Sequence, residues 1–75
     1  MIFSKKQKEL ALSLSRVDLL NEYLALEYNL KFYLFGANKK TYKKQRVNFR
    51  NYRKALLYQN TAAYSKKIER LSKNG

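Results

Sequence analysis

The sequence predicts an all-α fold, an antiparallel hairpin of two long helices, on three observations. Lys5–Phe35 contains neither Gly nor Pro and is dominated by Leu, Ala, Glu and Lys, which lose little on entering a helix. Apolar residues recur at spacings of three and four on both sides of Gly36, the period of a helix face. Gly36 is the only Gly inside the chain, the other being Gly75 at its end, and Gly readily takes the left-handed conformation that ends a helix. Residues 1–75 are read as a single small helical domain, which at this size buries a modest fraction of its surface.

The first helix is expected over about 4–35. Ser4 and Gln7 fit a capping box, in which each side chain bonds the other's backbone N–H. An unbroken helix of this length spans roughly 45 Å. Ser15-Arg16-Val17-Asp18 offers a second cap, so a break near Ser13–Ser15 is the alternative. The turn is placed at 36–40, with Asn38 or Thr41 as the next N-cap. The second helix is expected over about 41–72, with a tail at 73–75. Its apolar face changes from Tyr42, Phe49, Tyr52 and Leu56 to Leu57, Tyr64, Ile68 and Leu71. Asn60 and Thr61 are weak helix formers, so a kink or break is expected at Gln59–Thr61.

The first helix is apolar on two sides. Leu10, Leu14, Val17, Leu24, Tyr28 and Phe35 share one face at about 100° per residue. Leu12, Leu19, Tyr23, Leu26, Leu30 and Tyr33 share another, almost opposite. One face serves the second helix, and a leucine stripe left over marks an interface. The second set is assigned to that interface. A symmetric dimer of hairpins, a four-helix arrangement, is the simplest way to fill it. A different protein would satisfy the same face, and the alternative to an interface is that the kinked C-terminal segment folds back and covers it.

The residue inventory argues against catalysis. There is no Cys and no His, which removes disulfides, zinc sites and the commonest general base. No cofactor or metal is expected. Asp18 and Glu22, four apart, make the one acidic pair with helical spacing. The two glycines are far from any phosphate-loop pattern. The tyrosines have no base or metal partner that the sequence identifies. Leu24–Phe35 is the most apolar stretch, but Glu27 and Lys31 interrupt it, so no membrane span is expected. Charges in the first fifteen residues leave no apolar run of the secretory type. An intracellular, cytoplasmic or virion location is the expectation. No Pro or Trp, with Lys, Asn, Tyr and Leu abundant, matches the drift of AT-rich genomes, including those of many phages.

Charge is the dominant compositional feature. Seventeen Lys and Arg stand against five Asp and Glu, a net charge of +12. Met1–Phe35 has five bases and four acids, whereas Gly36–Gly75 has twelve bases and only Glu69. Such asymmetry points to nucleic acid or an anionic membrane. The stretch Lys39–Lys54 has no acid. Lys39, Lys43, Arg46, Arg50 and Arg53 recur at helical spacing, flanked by Lys40, Lys44 and Lys54. Like charges four apart destabilise a helix by about 0.2–0.5 kcal/mol each, which an external anion or acids on the partner helix relieve. A hairpin turning near Asn38 would set Glu22 opposite Arg53 or Lys54, Glu27 opposite Arg50, and Glu9 opposite Lys66 or Lys67. The uncompensated charge then gathers at the tip: Lys31, Lys39, Lys40, Lys43, Lys44 and Arg46. Tyr42, Phe49 and Tyr52 are read as core, and Tyr58, off that face, as the candidate base-stacking ring.

The leading expectation is a nucleic-acid-binding protein, of DNA or RNA, that grips the phosphate backbone with little sequence preference. A phage packaging, replication-accessory or virion protein fits the size and charge. The rival is a structural or protein-interaction module docking through the apolar face, as in a virion or ribonucleoprotein component or a phage inhibitor of a host protein. An anionic-membrane binder is a third class, disfavoured because the basic and apolar faces are not cleanly opposed.

Overall fold

A computed structural model describes residues 2–32 and 38–74, with only the backbone of Asn74. Four helices follow one another: α1 (Lys5–Ser13), α2 (Arg16–Phe32), α3 (Lys39–Gln59) and α4 (Ala62–Asn74). No strand occurs among the described residues. The expected turn at Gly36, together with Tyr33 and Phe35, lies outside them.

The helix expected over 4–35 is two helices, and the physical reason lies in what the break allows. α1 starts with the capping box: the Ser4 N–H donates to Gln7 Oε1 at 2.9 Å and the Gln7 N–H to Ser4 Oγ at 3.2 Å. Leu14 then turns extended, at φ −120° and ψ 144°, and the Ser15 hydroxyl caps α2 by accepting from the Asp18 N–H at 3.1 Å. The carbonyls left open at the end of α1 find a donor on α3. The Gln59 side-chain amide donates to Ala11 O at 2.9 Å and Leu14 O at 3.0 Å. This lays α1 across the C-terminal half of α3, where Gln7 also donates to Asn51 Oδ1 at 3.1 Å. A straight helix would have left Phe3, Leu10 and Ala11 without that cover.

α2 lies along α3 with its first turn beside the end of α3. Arg16 donates to Asn60 Oδ1, and the Tyr23 ring stacks on Phe49 with centroids 4.7 Å apart. The core forms where α1, α2 and α3 meet. Ala11, Leu19 and Ala55 are fully buried there, with Tyr58 5% exposed. Phe3, Leu10, Leu14, Tyr52, Leu56 and Tyr64 pack around them. Ala11 of α1 and Ala55 of α3 are both part of this cluster.

α3 stops where the sequence expects a break. Asn60 ends it, and Thr61 caps α4 by accepting from the Tyr64 N–H at 3.2 Å. Tyr64 returns to the core against Tyr58, centroids 5.8 Å apart. Beyond it the side chains of α4 described, from Ser65 to Lys73, are exposed. The described residues extend over 48 × 22 × 18 Å.

Candidate nucleic-acid interface

α3 begins at Asn38, whose side chain accepts from the Lys40 N–H at 2.8 Å. Its inner side carries Phe49, which stacks on Tyr23 of α2, Asn51 and Gln59, which bond to α1, and Tyr52, Ala55, Leu56 and Tyr58, which join the core. What remains faces solvent. Lys39, Lys43, Arg46, Arg50 and Arg53 are all exposed and fall within an arc of about 80° at the helical rotation per residue. From Lys39 to Arg53 the stripe runs about 21 Å along the axis. Lys40 and Lys44 are exposed beside it, and Lys54 is half-buried.

None of these eight side chains has an acid within ion-pair distance among the described residues. The two ion pairs found there are Lys31–Glu27 at 3.8 Å and Lys73–Glu69 at 3.9 Å, both between successive turns of one helix. The cross-helix pairs expected for Glu9, Glu22 and Glu27 are therefore corrected. The solvent arc of α3 points away from α2, so the acids of α2 do not reach it. Glu27 instead pairs with Lys31 on its own helix, which takes Lys31 out of the uncompensated set. The one short-range partner on the stripe is a ring: the Arg46 guanidinium lies 5.9 Å from the centroid of half-buried Tyr42.

Tyr58 is also corrected. It is not a free stacking ring but a core residue, held between Phe3, 5.2 Å away, and Tyr64. A two-helix hairpin offers α3 a single partner, and α1 supplies a second on the face where Tyr58 lies. Tyr42, Phe49 and Tyr52 are half-buried, in line with their reading as core.

The expected interface of the first helix faces inward. Leu19 is fully buried, Tyr23 stacks on α3, and Leu26 and Leu30 continue that side half-buried. Leu12 is half-buried on α1, a separate helix. The outward stripe of α2 is Val17, Leu20, Leu24, Tyr28 and Phe32, between 45% and 67% exposed. Both faces are apolar, so periodicity alone did not rank them. The break at Leu14–Ser15 also uncouples the faces of α1 from those of α2. Val47, 55% exposed amid the basic residues of α3, carried no signal in the sequence beyond being apolar off the apolar face.

Among the described residues, no three acids gather into a metal-binding group, and no helix is long and apolar enough to cross a membrane. Comparison with protein-family models, curated proteins and solved structures finds no match to this chain.

Proposed function

We propose that this chain is a binding protein, not an enzyme, whose α3 holds nucleic acid by its phosphate backbone with little sequence preference. A phage packaging, replication-accessory or virion role, in the cytoplasm or the virion, suits it. The observation that carries the reading is the solvent arc of α3: five exposed bases along one line with no acid in reach. The like-charge repulsion along that line is a standing cost that a row of phosphates removes. The test is fluorescence anisotropy with labelled DNA beside flotation with phosphatidylglycerol vesicles. Binding to DNA that weakens steeply with salt is expected. Uptake by vesicles without DNA binding, or no DNA binding at low salt, overturns the reading.

A second reading is favoured by the outer stripe of α2. In it, α2 and α3 form an antiparallel hairpin, and two hairpins pair through α2 into a four-helix arrangement. Charge selects a second copy as the occupant. α2 has two bases against three acids, whereas α3 has eight bases and none, so pairing through α2 keeps the basic helices apart. Arg16 and Glu27 lie on the same flank of the stripe, about 20° apart around the axis. An antiparallel two-fold pairing brings each Arg16 near Glu27 of the second copy. Sedimentation should give a dimer that Leu24→Glu dissociates. A monomeric wild type overturns this reading, and a mixed complex with another protein reassigns the stripe.

A further inference from the structure

The N-terminal half of α3 is clothed on one side only. Of residues 39–50, only Tyr42, Gln45, Asn48 and Phe49 are half-buried, and the rest are exposed. The unbroken exposed arc there, from Arg46 round to Lys44, spans about 160° of the helix circumference, with Thr41 exposed beyond half-buried Asn48. Basic residues occupy both edges and the middle of it. Lys40 and Lys44 lie on one flank and Arg46 on the other, with Lys44 and Arg46 about 160° apart around the axis. Lys43, Val47 and Arg50 lie between.

This distribution differs from what a single strand needs. Single-strand sites stack bases on exposed rings beside the basic groups. No aromatic residue of α3 is exposed: Tyr58 is buried, and Tyr42, Phe49 and Tyr52 are half-buried against the body. Among the described residues, the exposed rings, Tyr28 and Phe32, belong to α2. Tyr28 is about 140° around that helix from Tyr23, which faces α3. Two phosphate rows with a groove between them match the arrangement better. A helix with its side chains is about 10–12 Å across, and the major groove of B-form DNA is about 12 Å wide. In that groove, flanking lysines and arginines meet phosphates on both walls. Val47, exposed with no apolar neighbour on its face, then meets base edges, where thymine presents a methyl group.

We infer that the polyanion is duplex DNA, with the N-terminal half of α3 lying in its major groove. The inference rests on the backbone-binding reading of the same helix and narrows it. The test measures affinity of the full chain for a duplex DNA, a duplex RNA of the same sequence and the single DNA strands, at one salt concentration. The DNA duplex should bind tighter than either strand by about tenfold or more, the factor that one missing base–ring stack represents. The RNA duplex should bind more weakly too, because the deep, narrow major groove of A-form helices does not admit the helix. Equal or tighter binding to single strands overturns the inference and leaves the backbone reading in place. Equal binding to the RNA duplex overturns the groove placement. No binding to any of the three overturns both. Lys40→Ala with Lys44→Ala on one flank, and Arg46→Ala on the other, should each weaken the duplex complex. Loss confined to one flank contradicts contact with two walls.

Discussion

The two halves of α3 share a helix and a charge pattern but not an environment. Of the twelve residues from Lys39 to Arg50, eight are exposed; of the nine from Asn51 to Gln59, only Arg53 is. The difference is α1, which crosses the second half and not the first. One helix is thereby divided into a part that holds the protein together and a part that faces outward. In a chain this small the two tasks compete, because every residue that binds a partner is withheld from the core. Folding α1 back concentrates the core at one end and leaves the basic end free.

The largest effect is expected at the core. Leu19 is the one large side chain that is fully buried among the described residues, so Leu19→Ala should cost about 2–5 kcal/mol. That is a large part of the roughly 4–11 kcal/mol a 75-residue chain has in total. Chemical denaturation measures it, and a loss under about 1 kcal/mol, well below the usual range for such truncations, would show that the core is elsewhere.

A smaller effect is expected at the joint between α1 and α3. Gln59→Ala leaves Ala11 O and Leu14 O without their donor and should cost about 1–2 kcal/mol. It should also raise amide hydrogen exchange in α1 more than in α2. Uniform exchange across both helices would mean that α1 is not an element held separately on α3.

The smallest effect is expected at Arg53. Arg53 is the exposed residue of the covered half, without an acid partner among the described residues. Arg53→Ala should leave stability within about 0.5 kcal/mol and lower the salt slope of DNA binding by about 0.9 if it meets one phosphate. An unchanged slope confines the binding surface to the first half.

Much of this division was legible in the residues. The capping box at Ser4 and Gln7, the weak helix formers Asn60 and Thr61, and the acid-free run Lys39–Lys54 are local signals, and helix starts, breaks and charge stripes follow from local chemistry. The fate of Ser13–Ser15 was an alternative that the sequence offered without deciding. Its resolution depends on Gln59, more than forty residues away, whose amide closes the end of α1. The same contact explains Tyr58, which looks free when α3 has one neighbour and is core when it has two. On α2 the inner and outer faces are matched in apolar character, so only tertiary packing, the burial of Leu19 and the contact of Tyr23 with Phe49, distinguishes them.

If the bare half of α3 meets phosphates, the salt dependence of DNA binding must show it. Five engaged phosphates give a slope of log affinity against log salt of roughly −4 to −5. Replacing Lys43 and Arg46 together by Ala should flatten it by up to about two units and weaken all sequences alike. Helix content by circular dichroism should be undiminished, because the change relieves repulsion and Ala favours helix. A slope unaltered by the double substitution, in a protein that still folds and still binds DNA, would contradict the account.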